Sequence, residues 1–212
     1  SRTLSASVVD IATKECFVPV TVGGGISRID HIHDFLNAGA DKVALNSAIR
    51  YDLGFVENAA NLFGNQCITA SVDVVHHGGK YHAYDHLTGT RLNQDLKTYL
   101  SSIESAGVGE ILLNSVDRDG SRSGYDVALI KFVTEVVRIP VIALGGVGRF
   151  DHFSEGVLQG GCQAVAAANI FQHMEHSTIA AKAQMRADGV PVRLSSDVKY
   201  ENFQLDAIGR PF

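Results

Sequence analysis

Along the chain, short apolar runs alternate with longer stretches in which apolar residues recur at helical spacing. The short runs show no polar–apolar alternation, which is typical of strands buried on both faces of a parallel sheet. This order predicts an α/β fold in which helices connect parallel strands. The predicted strands are VPVTV (18–22), KVALN (42–46), CITASVDV (67–74), EILLN (110–114), IPVIAL (139–144) and QAVAAA (163–168). Helical spacing occurs in residues 1–15, 28–38, 51–63, 93–106, 125–136, 149–160 and 175–188.

Two segments do not fit the alternation. Residues 75–92 contain Gly-Gly, Thr-Gly and two aromatic residues, which predicts a hairpin or loop inserted after a strand. Residues 191–212 have no clear period, so we expect them to wrap the surface or to be disordered.

The chain contains an internal repeat. VPVTVGGGISRIDHI (18–32) matches IPVIALGGVGRFDHF (139–153) at a constant offset of 121 residues. Four βα modules lie between the start of the first copy and the start of the second. If these four modules form one half of a duplicated fold, the whole has eight modules, which predicts the (βα)8 TIM-barrel fold. Only six of its strands occur in this sequence. We therefore expect the first two modules to be missing, with an incomplete barrel domain at 1–194 and a C-terminal tail at 195–212.

The glycines of the repeat are candidates for phosphate binding. In each copy they follow a predicted parallel strand and precede a helix, where backbone N–H groups and the helix dipole favour an anion. Two such sites around one barrel mouth would suit a long substrate with two phosphates. The alternative is that the glycines only permit tight packing of helix against sheet. With the residues after the next strand, the candidates are Gly24, Gly25, Asn46 and Ser47 in the first copy, and Gly145, Gly146, Ala168 and Asn169 in the second.

Two carboxylates stand at predicted strand ends. Asp73 ends ITASVD, and Asp119 follows EILLNSVD. In a parallel barrel such residues face the shared mouth, so both are candidates for proton transfer during a ring closure or elimination. Gly120 and Gly124 would let the loop after Asp119 fold over a ligand. The alternative for each carboxylate is a helix cap or a salt bridge.

Composition narrows the function classes. The 212 residues are 45% hydrophobic and 19% charged, which excludes disorder as the main state. The net charge of −5 argues against nucleic acid as a general partner. No apolar run reaches the ~20 residues of a membrane span, and SRTLSASVVD at the amino end has no signal-peptide pattern, so we expect no membrane contact. Three scattered cysteines, Cys16, Cys67 and Cys162, indicate reduced thiols, so we expect a cytoplasmic protein.

The histidines do not predict a metal site, and we expect no cofactor. Four of them lie in the glycine-rich hairpin, where the spacing fixes no tetrahedral geometry, so we expect a solvated loop near the mouth. His31 and His152 lie on outer helices and are expected at the surface. The hairpin histidines are His76, His77, His82 and His86.

Several motifs resemble the cyclase subunit family of imidazole glycerol phosphate synthase, of histidine biosynthesis. This resemblance implies a (βα)8 barrel and a lyase or cyclase activity. The family takes ammonia from a partner glutaminase and converts a phosphoribulosyl-formimino carboxamide ribonucleotide into imidazole glycerol phosphate and an aminoimidazole carboxamide ribotide. The matching stretches are TVGGGI (21–26), GADKVALNSA (39–48), FGNQCITASVD (63–73), GVGEILLNSVDRDGSRSGYD (107–126), IPVIALGGVGRFDHF (139–153) and VPVRL (190–194).

The resemblance also implies residue roles. Asp119 matches the catalytic aspartate of the DRDG motif, Gly120 is its neighbour and joins the phosphate-binding candidates, and Asp73 matches a strand-end aspartate that supports catalysis. The family's phosphate sites correspond to Gly25 with Asn46 and to Gly146 with Asn169.

Three further residues are implied to serve ammonia entry. Lys42 and Glu110, at strand amino ends, match two charged residues of the gate at the barrel bottom, where ammonia arrives from the glutaminase. Asp41 is then a docking contact. Without the resemblance, Asp41 and Lys42 would be interpreted as a solvated salt bridge.

The chain also departs from the family pattern. The catalytic aspartate and lysine of the family's first strand, and two of its four gate residues, fall in the missing segment. At four further positions the usual residue is replaced: Val75 stands where lysine is usual, Ala44 and Leu144 where small hydroxyl residues are expected, and Asn114 where threonine is usual.

Two alternatives stay open. ECFVP (15–19), LLNSVDRDG (112–120) and the tail VKYENFQLDAIGRPF (198–212) resemble a paralogous branch that delivers ammonia for acetamidino modification of surface-polysaccharide sugars. Otherwise the chain is a non-catalytic barrel fragment. In either case open strand edges predict a homo-oligomer in which neighbouring copies cover the gap.

Overall fold

The computed structural model describes residues 5–172, 177–198 and 200. Contacts divide the chain into two compact units. The first unit is built from the described parts of Ser1–Asp73, His82–Leu112 and Val136–Pro140. The second is built from those of Val74–Tyr81, Leu113–Glu135 and Val141–Phe212.

Parallel strands form the centre of each unit. These strands are β1 (Thr21–Gly23), β2 (Lys42–Leu45), β3 (Ile68–His77), β6 (Glu110–Ser115), β7 (Val141–Leu144) and β8 (Ala164–Val165). In the first unit the order is β1-β2-β3-β6, and in the second it is β3-β6-β7-β8. β3 and β6 occur in both because their first residues belong to one unit and their last residues to the other.

The register between neighbouring strands is fixed by buried side chains. Val43 of β2 pairs with Val22 of β1 on one side and with Ile68 of β3 on the other. All three side chains are buried. Because a shift of one residue would turn these side chains to the opposite face, their burial specifies the alignment.

A hairpin interrupts the βα order, as the sequence predicts. β3 turns through Gly78 and Gly79 into β4 (Lys80–Asp85), which pairs antiparallel with β5 (Thr90–Arg91). Both glycines have positive φ angles, 58° and 76°, as a tight two-residue hairpin turn requires.

The helices begin where the chain supplies caps. Asp52 accepts the Phe55 N–H at the start of the helix Leu53–Phe63, and Asp95 accepts the Thr98 N–H at the start of the helix Leu96–Ser105. The helices are α1 (Ala6–Lys14), α2 (Ile29–Asn37), α3 (Ser47–Tyr51), α4 (Leu53–Phe63), α5 (Leu96–Ser105), α6 (Val127–Val136), α7 (Asp151–Leu158), α8 (Asn169–Gln172) and α9 (Ser177–Ala187).

The prediction of an α/β fold with a parallel sheet is confirmed. Each of the six predicted strands overlaps an observed one, and the main helices lie where helical spacing indicates them. The sequence reasoning missed the short helices α3 and α8, which begin at Ser47 shortly after β2 and at Asn169 shortly after β8. Asp52 separates α3 from α4 because its extended backbone, with φ −152° and ψ 90°, ends one helix and caps the next.

The domain extents stay a prediction, since most of the proposed tail at 195–212 lies outside the described residues. No helix within the described ranges has the length and apolar character needed to cross a membrane.

Candidate functional site

The first unit contains a cavity of about 480 Å³ at the carboxyl ends of β1 and β2. Two predicted phosphate-binding residues line it, Gly25 after β1 and Ser47 after β2. Tyr51, His86 and Leu87 also line it, and sequence reasoning assigned none of these three to the site. The cavity therefore joins the glycine turn to the hairpin.

The glycine turn beside this cavity is shaped by backbone conformation. Gly24 and Gly25 have φ angles of 109° and 70°, which L side chains rarely adopt. A Cβ built on Gly24 would meet nothing within 4 Å. Glycine is thus needed at position 24 for its φ angle, while the space next to it is open to a ligand.

Asp73 is held beside the cavity by a polar network. Its Oδ2 accepts a hydrogen bond of 2.9 Å from Asn46 Nδ2. Asn46 Oδ1 accepts in turn from Arg50 Nη1, and Arg50 Nη2 donates to Ser47 Oγ at 3.1 Å. Two predicted phosphate-site residues and one predicted catalytic residue are therefore linked through Arg50.

Arg50 also forms a buried ion pair with the hairpin. Its Nη2 lies 2.8 Å from Asp85 Oδ1, and only 6% and 8% of the two side chains are exposed. Tyr51 Oη donates to Asp85 Oδ2 at 3.1 Å, and the Leu87 N–H donates to Oδ1 at 2.9 Å. Burial alone would raise the pKa of Asp85, but the Leu87 N–H, the Tyr51 hydroxyl and the Arg50 charge together lower it below its ordinary value.

One histidine of the hairpin, His86, lies next to Asp73. Its Nδ1 lies 3.4 Å from Asp73 Oδ2. The sequence predicted only a solvated loop here, because nothing local shows that Arg50 fixes the neighbouring Asp85. The nearest signal was the acidic residue directly before His86 in the hairpin.

The residues implied as an ammonia gate lie at the amino ends of the same strands. Lys42 begins β2 and forms an ion pair with Glu110, which begins β6. Thr69 Oγ1 donates to the other carboxylate oxygen of Glu110 at 2.8 Å. Asp41 Oδ2 accepts the Val20 N–H at 2.7 Å, so this exposed carboxylate also fixes the chain before β1.

The second unit contains a smaller cavity of about 50 Å³. Its volume is several times the ~10–15 Å³ that one water molecule needs, which leaves room for one small polar group. It is lined by six residues that the sequence singled out: Asp119, Gly120, Gly145, Gly146, Ala168 and Asn169. Arg122 also lines it and was missed.

Packing shapes the second glycine turn more strongly than the first. Gly145 and Gly146 have φ angles of 96° and 100°. A Cβ on Gly146 would lie 2.2 Å from Gly124 O, and one on Gly145 would lie 2.8 Å from Ser115 O. The Gly124 N–H donates to Gly146 O at 2.8 Å. Here the interpretation of the glycines as packing residues accounts for both positions.

His152 contacts the residues around this glycine turn. Its side chain is buried, so the expectation of a surface histidine is wrong. Its Nδ1 accepts the Gly148 N–H at 3.2 Å, and a Cβ on Gly124 would touch its ring at 3.5 Å. A residue on α7 can be buried because the loop from Asp119 to Gly124 covers it.

The structure thus places the predicted site residues in three groups. Gly25 and Ser47 line the larger cavity, whereas Gly24, Asn46 and Asp73 lie outside its lining. Asn46 and Asp73 are connected to Ser47 by the hydrogen bonds through Arg50. Asp119 and the second-copy candidates line the smaller one. Lys42 and Glu110 form a pair at the opposite strand ends, near Asp41. Within the described ranges no three histidine, cysteine or acidic side chains are arranged to hold a metal ion.

Comparison with known proteins identifies relatives over the whole chain. The model of the histidine biosynthesis protein family matches residues 1–177. A protein of Vibrio vulnificus (strain YJ016) named "Putative imidazole glycerol phosphate synthase subunit hisF2" is 60% identical over 211 residues, which cover 100% of this chain and 78% of that protein. The family fold is the TIM barrel, in agreement with the predicted fold class. The chain belongs to the histidine biosynthesis protein family.

Proposed function

We propose that the chain is an ammonia-accepting cyclase subunit of the imidazole glycerol phosphate synthase type. It would combine ammonia from a separate glutaminase with a phosphoribulosyl-formimino carboxamide ribonucleotide to give imidazole glycerol phosphate and release an aminoimidazole carboxamide ribotide. The observation that carries this proposal is the first-unit arrangement, in which Asp73 stands beside a cavity lined by Gly25 and Ser47. The name of the Vibrio vulnificus relative supports the same reaction.

The first cavity supplies the groups for binding and proton transfer. Ser47 Oγ and the open backbone at Gly25 would bind a phosphate of the substrate, since hydroxyl and N–H groups at strand ends suit an anion. Asp73 would support proton transfer while the ammonia nitrogen attacks and the imidazole ring closes. Asn46 keeps the Asp73 carboxylate oriented through its 2.9 Å hydrogen bond.

Ammonia would enter at the other end of the strands. Lys42 begins β2 and Asn46 directly follows it, and four residues of strand span ~13 Å. The Lys42–Glu110 ion pair therefore stands one strand length from Asn46, which hydrogen-bonds to Asp73. A glutaminase bound near Lys42 would deliver ammonia along this direction.

A second candidate is ammonia delivery for amidation of a sugar nucleotide. The different volumes of the cavities beside the two glycine turns favour this candidate. Two equivalent phosphates would suit two cavities of similar volume, whereas these cavities measure about 480 and 50 Å³. This reaction would keep the same glutaminase and the same Lys42–Glu110 entry.

Turnover with ammonium chloride tests the proposal without a glutaminase. The purified chain is incubated with the formimino ribonucleotide, and imidazole glycerol phosphate is measured by mass spectrometry. Product from the wild type and its loss in Asp73→Asn would support the cyclase. Asp34→Asn, an exposed change on α2, is the matched control and should leave turnover intact. No product from the ribonucleotide, but amidation of an acetamido sugar nucleotide, would favour the second candidate.

A further inference from the structure

The turn after β4 brings one histidine of the hairpin to the first cavity. The Asp85 carboxylate is anchored by Arg50 and Tyr51, and it accepts the Leu87 N–H within its own turn. The Gly89 N–H donates to Asp85 O at 2.8 Å and closes the turn. The residue after Asp85 is therefore fixed by a buried charge pair although it belongs to a loop.

That residue is His86, and it contacts both the cavity and the carboxylate. Its Nδ1 lies 3.4 Å from Asp73 Oδ2, while the Asp73 side chain is 13% exposed and the His86 side chain 52% exposed. His86 lines the cavity together with Gly25 and Ser47. A histidine whose one nitrogen faces a carboxylate has its other nitrogen available to a ligand.

We propose that His86 is a catalytic residue of the first cavity and that Asp73 orients it. This inference rests on the proposed function and adds a residue to its site. Asp73 accepts a hydrogen bond from Nδ1–H, which leaves Nε2 unprotonated and directed to the ligand. Nε2 takes a proton from the substrate, the resulting imidazolium is stabilised by the Asp73 carboxylate, and the same proton then leaves to the departing group or to water. No oxidant, metal or further reactant is required.

The hairpin contains histidines that serve as a contrast. His77, at the end of β3, is exposed and lies before the glycine turn. Only His86 follows the anchored Asp85. Asp85 and Arg50 thus act as positioning residues for His86. The charged and titratable side chains around His86 are Asp73 on β3, Asp85 on β4, Arg50 and Tyr51 on α3, and Asp52 after α3.

The tautomer of His86 tests the pairing without any substrate. Long-range 1H–15N spectra of the neutral imidazoles show which ring nitrogen carries the proton, and His86→Gln assigns the signal by removing it. The expected result is an Nδ1–H tautomer for His86 in the wild type. A wild-type Nε2–H tautomer would overturn the pairing. Loss of the Nδ1–H tautomer in folded Asp73→Ala would support it further.

Kinetics with ammonium chloride test the proton-transfer role. Since glutamine can hydrogen-bond but cannot carry a proton, His86→Gln should lower kcat by about 10²–10⁴-fold and change KM much less. It should also remove one limb of the pH–rate profile. His77→Gln should match the wild type. A kcat of His86→Gln within roughly threefold of the wild type would overturn the catalytic role. A wild-type chain that forms no product would contradict the proposed function instead, and the tautomer would still decide the pairing.

Discussion

The two copies of the internal repeat agree at the helix start and differ at the glycine turn. Arg28 pairs with Asp30 at 3.2 Å, and 121 residues later Arg149 pairs with Asp151 at 2.7 Å. Beside these similar pairs, the first copy opens onto a cavity of about 480 Å³ and the second onto one of about 50 Å³.

The difference arises from the loops that accompany each copy. In the second, the loop that ends at Gly124 hydrogen-bonds to Gly146 O and fills the space around it. In the first, a hairpin is held by the Arg50–Asp85 ion pair, and space beside Gly24 stays open. A repeated backbone can therefore keep its shape while neighbouring loops decide whether the glycine turn borders open space or is packed.

The largest expected effect is the loss of stability when the buried Arg50–Asp85 ion pair beside the first copy is broken. Arg50→Met leaves the Asp85 carboxylate buried without its cation, and we expect a loss of about 3–5 kcal/mol in the free energy of unfolding. Urea denaturation measures it. Arg28→Met removes an exposed ion pair from the same unit and should cost less than about 1 kcal/mol. Equal costs for the two variants would show that the Arg50 pair does not anchor the hairpin.

The next effect separates the two glycine turns directly. Gly146→Ala adds a Cβ that would lie 2.2 Å from Gly124 O at a φ of 100°, so strain and overpacking together should cost roughly 2–5 kcal/mol. Gly24→Ala meets no atom within 4 Å and should cost only the roughly 1–2 kcal/mol of its positive φ. Thermal and urea unfolding of both variants give the comparison, which a larger cost for Gly24→Ala would reverse.

Acid should reduce the stability that the Asp85 carboxylate gives to the folded chain. Its pKa in the folded chain is lowered below 3.8, so the stabilisation it provides is present above that value and is lost as the pH falls through the folded-state pKa. The stability difference between the wild type and Asp85→Asn should therefore be constant near neutral pH and shrink below about pH 3.8. A difference that grew in acid would contradict the assigned charge state.

The smallest effect concerns anion binding. Ser47→Ala removes a hydroxyl from the first cavity, and the loss of one hydrogen bond of about 1 kcal/mol should weaken binding of inorganic phosphate about fivefold. Isothermal titration calorimetry at fixed ionic strength measures this change. Thr90→Ala, on the exposed strand β5, is the control and should not alter affinity.

The sequence predicted the parts of this molecule that depend on local pattern. Buried strands such as β2 and turn residues such as Gly78 follow from hydrophobic runs and from φ preferences, and both were found in place. The repeat also indicated where the two glycine turns occur. These features need only neighbouring residues to be specified.

The sequence could not predict interactions between distant segments. Arg50 and Asp85 are 35 residues apart, and only folding shows that they pair and so bring His86 to Asp73. The short helix α3 was missed because five residues carry too little periodicity. The burial of His152 likewise depends on a loop that precedes it by about 30 residues. The expected self-association stays a prediction.

The most direct test of this account is a crystal structure of the chain with imidazole glycerol phosphate bound. We expect the phosphate on Gly25 and Ser47 and the imidazole ring within hydrogen-bonding distance of Asp73 or His86. Product bound away from the first cavity, with the Gly25 turn unoccupied at saturating concentration, would contradict the central claim that this turn and Asp73 form one site.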